Sequence, residues 1–200
     1  TKSKIKTYSL KKLSDYNIKI IENNIEGLII QLNDKLIHTQ ITGKFNAYNI
    51  LSVYSAASIL GLPKNELLKA MSSLDAVAGR FQFYKKNKIT AIVDYAHTPD
   101  ALENILKSIN EIKTLENNLI TVVGCGGNRD KSKRPLMGDI ASNLSSKVIF
   151  TSDNPRFEDP EIIIEEMISG VRSTNSNKTI SISNRKEAIK AACQFARTND

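Results

Sequence analysis

The amino-acid sequence predicts an α/β protein whose second part is a mostly parallel sheet with flanking helices. After Gly79, short runs rich in Val, Ile and Thr alternate with amphipathic helical segments, a pattern typical of parallel strands joined by helical crossovers. Three polar loops each follow one of these strands and precede a helix. Ligands bind beyond the carboxyl ends of the strands in open α/β sheets, so these loops are candidate binding segments.

The first part of the chain has a different pattern. Polar and apolar positions alternate with period 2 in residues 18–20, 27–32 and 35–39, which predicts strands. Asn33-Asp34 predicts a tight turn, and therefore an antiparallel hairpin, between the last two. Two helices are expected next, over residues 46–60 and 64–73. The apolar faces assigned to them are Ile50, Val53, Tyr54, Ala57 and Leu60 in the first, and Leu67, Leu68 and Met71 in the second.

The second part is expected to contain strands at residues 89–94, 119–123, 147–151 and 179–183. Helices are predicted over residues 99–114, 160–171 and 184–197, the first with Thr98 as N-cap and Pro99 at its first position. Asn184 with Glu187 three residues later is a capping-box pattern. We place a domain boundary near residues 75–80, which divides the chain into residues 1–77 and 78–200.

Amino-acid composition limits the class of protein and the cellular compartment that we expect for it. Hydrophobic residues make up 40% and charged residues 24%, as in soluble globular domains. The net charge of +7 is spread along the chain, so a basic arm for nucleic acid is not expected. Two cysteines cannot build a disulfide framework or a zinc site. Without a signal peptide or an apolar run of about 20 residues, we expect a cytoplasmic protein that does not bind membranes.

The first candidate loop is the glycine loop, Gly124-Cys125-Gly126-Gly127-Asn128-Arg129-Asp130. Its glycines would let a ligand approach backbone N–H groups closely. Arg129 and the basic residues just after it could grip a carboxylate or phosphate. The loop lacks the ending of a P-loop and is not G-x-G-x-x-G. A tight turn with exposed charges remains an equal alternative.

Two other loops carry acids, amides and cations. In the loop of residues 94–100, Asp94 could accept hydrogen bonds from ribose hydroxyls or hold Mg²⁺ through water, and His97 could donate to a phosphate near a helix N-terminus. Residues 152–156 combine Asp153, Asn154 and Arg156 around Pro155, the mixture that a zwitterionic amino acid requires. The alternatives are loop side chains that satisfy backbone groups, and an ordinary Asn-Pro turn.

Two nucleotide-site candidates precede these loops. Asn46 and Asn49 lie at the start of a predicted helix, and an Asn amide matches the donor and acceptor edge of adenine. Helix capping and core packing are the more common roles for such residues. Arg80 follows Ala78-Gly79 at the predicted boundary between domains, where ligand clefts often lie.

Together these segments resemble the Mur ligases of peptidoglycan synthesis. The order is G-K-F-N-A-Y-N, A-G-R, D-Y-A-H-T-P-D-A-L, G-C-G-G-N-R-D-K-S-K-R-P-L-M-G and D-N-P-R, and the likeness extends from Gly43 to Asp200. The resemblance implies the α+β end of a central ATPase domain, followed by a Rossmann-like carboxy-terminal domain. It also implies an ATP-dependent amide ligase that requires Mg²⁺ and is expected to be a monomer.

The resemblance further implies roles for individual residues. Asn49, and Asn46 beside it, would contact adenine, while Arg80, Asp94 and His97 would lie at the ribose or phosphates. Arg129 would bind a carboxylate of the incoming amino acid, and its distal end would be held by Asp153, Asn154, Pro155 and Arg156. In this family the D-N-P-R form accompanies meso-diaminopimelate, which would be added to UDP-N-acetylmuramoyl-L-Ala-D-Glu through an acyl phosphate.

The family's P-loop, carbamylated lysine and Mg²⁺ ligands have no counterpart in these residues, and neither does its late Gly-Lys-Gly-His-Glu segment. We therefore expect a fragment of a longer protein, without catalytic residues or metal ligands of its own and inactive alone. Two alternatives stay open. One is a sister ligase that adds L-lysine, and the other is a non-catalytic amino-acid or nucleotide-binding module.

Overall fold

The computed structural model describes residues 3–75 and 77–200. The chain divides into two compact units, and the division in sequence falls between Gln82 and Phe83. This division lies a few residues beyond the boundary segment predicted at residues 75–80, of which Ala76 is outside the described residues.

The first unit contains an antiparallel three-stranded sheet. Strands β1 (Tyr8–Ser9) and β2 (Tyr16–Asn17) form a short parallel pair, and the sheet itself has the order β3-β4-β5. Its strands are β3 (Lys19–Asn24), β4 (Gly27–Leu32) and β5 (Lys35–Thr39). The predicted hairpin between β4 and β5 is confirmed. Asn33 in its turn has a φ of 53°, a left-handed conformation that Asn tolerates better than most residues.

Two helices, α1 (Lys44–Ile59) and α2 (Lys64–Ser72), complete the described part of this unit. Leu28, Ile30 and Leu32 of β4 are at most 1% exposed, as the period of 2 predicts. The helices supply Ala47, Ile50, Leu51, Tyr54, Leu67, Leu68 and Met71 to the same core. The predicted face of α1 was partly wrong, because Val53 and Leu60 are exposed while Ala47 and Leu51 are buried. Ala47 is small enough to pack in the same core as the strand residues. Apolar periodicity alone does not indicate that this residue is buried.

The second unit is built on a parallel three-stranded sheet. Its strands are β8 (Ile120–Val123), β9 (Lys147–Phe150) and β10 (Thr179–Ser181), in the order β10-β9-β8. Before them come β6 (Gln82–Lys86) and β7 (Ile89–Val93), which pair with each other. The prediction that residues 89–94 extend the parallel sheet was therefore wrong. Asn87 and Lys88 both have positive φ angles, and their two-residue turn joins β6 to β7 as an antiparallel hairpin.

Four helices flank the parallel sheet: α3 (Pro99–Ile112), α4 (Lys133–Leu144), α5 (Pro160–Ile168) and α6 (Arg185–Phe195). A short 3-10 helix over Ser173–Lys178 precedes β10. The core contains Val148 and Phe150 with side chains from α3, α4 and α5. Ile149 alternates to the other side of the sheet, and α6 contacts β8 and β9.

The caps predicted from the sequence are confirmed. The Thr98 hydroxyl accepts a hydrogen bond from the Ala101 N–H, with Pro99 at the first helical position. The Asn184 side chain accepts one from the Glu187 N–H. Asp159, for which we predicted no cap, also caps α5 by accepting from the Glu161 N–H. These contacts satisfy N–H groups that a helix start leaves unpaired.

Candidate functional site

Two loops of the second unit emerge at the carboxyl ends of neighbouring parallel strands. The glycine loop follows β8, and the residues 152–156, here called the proline loop, follow β9. Because β8 and β9 pair directly, both loops leave the same edge of the sheet. This is the edge at which α/β domains bind ligands.

Backbone atoms of the two loops contact each other directly. The Gly127 N–H donates to the carbonyl oxygen of Asn154 at 2.8 Å. A Cβ at Gly127 would lie 1.9 Å from the carbonyl oxygen of Pro155, and one at Gly124 would lie 2.3 Å from that of Thr151. Neither approach is possible with a side chain, so these glycines first serve to bring the two loops together.

Arg156 ties the loops together further. Its φ is 53°, and its Nη1 donates to the carbonyl oxygen of Gly127 at 2.7 Å and to that of Asn154 at 3.4 Å. The side chain is exposed, and its Nε and Nη2 hydrogens have no acceptor among the described residues. One side of the guanidinium is therefore fixed while the other can bind a carboxylate.

Arg129 differs from Arg156 in having no contact of this kind. It lies in the glycine loop and is exposed, and within the described part of the chain its guanidinium has no hydrogen bond or ion pair. Asp153 and Asn154 are exposed as well, and the nearest cation to Asp153 is Arg185, 3.9 Å away. These side chains place cations, an acid and an amide at one edge, ready for a charged small molecule.

Arg134 is the residue whose role the sequence did not reveal. It follows the glycine loop as one of several cations, and we grouped it with them, but its side chain is 0% exposed. Its Nη1 and Nη2 each lie 3.0 Å from one oxygen of Glu158. Nη1 also lies 2.5 Å from Glu166 Oε2, and Nη2 lies 3.3 Å from the Gly126 carbonyl oxygen. Its partners are therefore residues of the protein, and it is not available to a substrate.

Glu158 accepts hydrogen bonds from three different residues. Beyond the paired contact with Arg134, its Oε1 accepts from the Asn128 N–H and its Oε2 lies 3.1 Å from Lys131 Nζ. These donors, with Arg134 first, lower the pKa of Glu158 to about 2. The hydrogen bond to Glu158 also raises the pKa of Arg134. Both groups are therefore charged at neutral pH.

The loop of residues 94–100 reaches the same region from another direction. Lys133, the first residue of α4, donates to the His97 carbonyl oxygen at 2.7 Å. His97 Nδ1 lies 3.1 Å from the Tyr95 carbonyl oxygen, and Asp94 accepts from the Ala96 N–H at 2.7 Å. The structure thus brings this loop to the start of α4, although β7 before it belongs to the separate hairpin.

The remaining nucleotide candidates lie in the first unit. Asn46 Nδ2 donates to the Thr42 carbonyl oxygen at 2.8 Å, and Asn49 Nδ2 lies 3.3 Å from Asn46 Oδ1. Both amides therefore make contacts at the amino-terminal end of α1, the more common role noted above. Asn49 and Arg80 are exposed. Adenine and phosphate contacts of these residues stay predictions.

Cys125, inside the glycine loop, is structural. Its side chain is 3% exposed, and its Sγ lies 3.5 Å from Met137 Sδ. Burial raises the pKa of Cys125 to about 11, which keeps the thiol protonated and unreactive. In residues 3–75 and 77–200, no group of three or more His, Cys, Asp or Glu side chains could hold a metal ion. Over the same residues no helix has both the length and the apolar character to cross a membrane.

The parallel sheet with polar loops at the carboxyl ends of its strands defines an α/β ligand-binding domain. Residues 79–200 match the family model described as "Mur ligase, glutamate ligase domain". The chain therefore belongs to the Mur ligase family.

Known relatives agree with this assignment. A UDP-N-acetylmuramoyl-L-alanyl-D-glutamate--2,6-diaminopimelate ligase from Phocaeicola vulgatus is 52% identical over 201 residues, which cover 100% of this chain and 42% of that protein. A ligase of the same description from Bacteroides thetaiotaomicron is 49% identical with the same coverage. The chain thus spans less than half the length of the curated relatives it matches.

Solved structures agree with the fold. One described as UDP-N-acetylmuramoyl-L-alanyl-D-glutamate--2,6-diaminopimelate ligase is 36% identical, with a TM-score of 0.64, over 98% of this chain and 41% of that one. MurF from Acinetobacter baumannii, at 15% identity, shares the fold with a TM-score of 0.71 over 95% of this chain and 40% of its own.

Proposed function

We propose that this chain is part of an ATP-dependent ligase that adds meso-diaminopimelate to UDP-N-acetylmuramoyl-L-Ala-D-Glu during peptidoglycan synthesis. In this reaction ATP phosphorylates the γ-carboxylate of D-Glu. The amine of diaminopimelate attacks the acyl phosphate, and inorganic phosphate leaves the tetrahedral intermediate. The relatives named above support this assignment by their descriptions.

The observation that carries the proposal is the pair of exposed arginines, Arg129 and Arg156, on two loops that are bonded to each other. Diaminopimelate has an ammonium and a carboxylate at each end. We propose that Arg129 binds one carboxylate and that Arg156 binds the distal one, through the donors that the Gly127 contact leaves free. Asp153 and Asn154 then receive the distal ammonium, and Pro155 stiffens the turn that presents them.

For the nucleotide we propose contacts with the residues that the resemblance assigned to it. Asn49 and Asn46 are assigned to adenine, and Arg80, Asp94 and His97 to the ribose and phosphates of ATP. We assign no Mg²⁺ ligand to this chain, because the family's Mg²⁺ ligands have no counterpart among the motifs that carry the resemblance. We further propose that the whole protein is a cytoplasmic monomer whose substrates are these small molecules, and that it binds neither nucleic acid nor membranes.

The discriminating experiment compares two amino acids in the full-length protein that contains this chain. With ATP and the nucleotide-dipeptide present, product formation is measured with meso-diaminopimelate and with L-lysine. We expect diaminopimelate to be preferred. Arg156→Ala should lower kcat/KM for diaminopimelate by about tenfold to a hundredfold, because a charge-assisted contact to the substrate is lost.

The matched control is Arg172→Ala, which removes an exposed arginine paired with Asp139. This variant should leave kcat/KM for diaminopimelate unchanged. Preference for L-lysine would favour the lysine-adding sister ligase, and equal use of both amino acids would contradict the diaminopimelate assignment. Binding without turnover would favour a non-catalytic module. Residues 1–200 alone should release no phosphate from ATP, and measurable release by that polypeptide would contradict our assignment of it as an inactive part.

A further inference from the structure

We infer that Glu158 is a positioning residue, which holds the main chain of the glycine loop so that Arg129 is presented beside the proline loop. The inference rests on the proposed function for its substrate, but its structural part can be tested without it. Glu158 lies two residues after Arg156, at the point where the proline loop turns towards α5. Its carboxylate contacts the glycine loop at Asn128, the residue before Arg129.

Both carboxylate oxygens of Glu158 contact Arg134, and each also contacts one residue of the segment 128–131. Oε1 accepts from the Asn128 N–H and from Arg134 Nη2, while Oε2 contacts Arg134 Nη1 and Lys131 Nζ. The side chain of Asn128 returns the contact, because its Oδ1 accepts from the Phe157 N–H at 3.1 Å. The two loops are thus joined immediately before Arg129 and immediately before Glu158.

Arg134 makes this arrangement rigid. It is buried, so the position of its guanidinium is fixed by packing, and the bidentate contact fixes the plane of the Glu158 carboxylate. The network of Arg134, Lys131, Glu158 and Glu166 has a net charge of zero when all four groups are ionised. Arg129 and Arg156 do not belong to this neutral network, and neither has an ion pair among the described residues.

Glu166 provides a matched control, since it also pairs with Arg134 but, within residues 3–75 and 77–200, has no hydrogen bond or ion pair with the glycine loop. Glu158→Ala and Glu166→Ala each remove one carboxylate from the same buried guanidinium. If Glu158 only neutralises Arg134, the two variants should behave alike. If it positions the glycine loop, only Glu158→Ala should affect that loop.

The experiment measures KM and kcat in the full-length protein at saturating ATP and nucleotide-dipeptide. We expect Glu158→Ala to raise KM for diaminopimelate by about tenfold, because small displacements of a binding group have large effects. KM for ATP should be unchanged. Glu166→Ala should leave KM for diaminopimelate within about threefold of the wild type, since the contact with Asn128 is kept. Equal changes in both variants, or none in Glu158→Ala, would overturn the inference.

Hydrogen exchange provides a second measurement that does not depend on the substrate. Amides of residues 124–132 should exchange faster in Glu158→Ala than in Glu166→Ala, because the Asn128 N–H loses its acceptor. Equal exchange in the two variants would contradict the role of Glu158. If the wild type does not use diaminopimelate, the proposed function is wrong, and exchange alone decides the positioning role. Should Glu158→Ala fail to fold, Glu158→Gln and Glu166→Gln are compared by the same criteria.

Discussion

The carbonyl oxygen of Pro155 occupies the space that a side chain on Gly127 would need, 1.9 Å from the ideal Cβ position. The backbones of the glycine loop and the proline loop are therefore too close at this point to admit a side chain on Gly127. This proximity lets Arg156 of one loop reach the Gly127 carbonyl oxygen of the other. The candidate site is therefore formed by two loops that are distant from each other in the sequence.

Gly127→Ala should force these loops apart. The added methyl group meets a backbone carbonyl that cannot rotate away, so we expect the free energy of unfolding to fall by about 2–4 kcal/mol. Urea unfolding of the chain measures this change. Gly126→Ala is the matched control, because its methyl group would lie 2.9 Å from the flexible end of Arg156. A loss of stability as large in Gly126→Ala would show that the contact with Pro155 is not the cause.

Arg134→Ala should be far more damaging than removal of an exposed arginine. It would leave Glu158 and Glu166 without their common buried partner, and breaking such a pair costs about 3–5 kcal/mol. Arg172→Ala removes the exposed pair with Asp139, in which the arginine side chain is 65% exposed, and should cost at most about 1 kcal/mol. Thermal or urea unfolding distinguishes them, and similar values would contradict the structural role of Arg134.

The lowered pKa of Glu158 predicts a loss of stability in acid. In the folded state its pKa is about 2, whereas in the unfolded chain it has the ordinary value of about 4.3. Its contribution is therefore complete above the ordinary value and disappears as the pH falls from there towards 2. Unfolding free energies measured across this range should decline less steeply in Glu158→Gln than in the wild type. Parallel curves would show that Glu158 titrates normally.

The two cysteines should differ in reactivity. Burial keeps the Cys125 thiol protonated, with a pKa of about 11, while Cys193 is exposed. A thiol reagent at pH 8 should therefore modify Cys193 rapidly and Cys125 only when the protein unfolds. In Cys193→Ser the rapid phase should disappear. A rapid phase that persists in this variant would mean that the glycine loop opens readily.

Local patterns in the sequence were sufficient for most elements. The period of 2 predicted the β4–β5 hairpin, Asn33-Asp34 predicted its turn, and Thr98 with Pro99 predicted the start of α3. These features depend on residues close together in the chain, where side-chain spacing and backbone preference act directly. The same reasoning placed polar loops at the carboxyl ends of β8 and β9, as the structure shows.

Tertiary structure decided which cations are buried and which strands pair, because local sequence patterns do not distinguish these alternatives. Arg129 and Arg134 are both cations close to the glycine loop in sequence, yet of these two only Arg134 is buried. Its partner Glu158 lies 24 residues away in sequence, so local patterns do not reveal the pair. The partner of β7 was also undetermined, since a strand's own residues do not specify which neighbour it pairs with. The sequence by itself determined the elements and the chemistry of the loops. Packing between distant segments decided which charges hold the protein together and which remain exposed, because burial and pairing exist only once those segments meet.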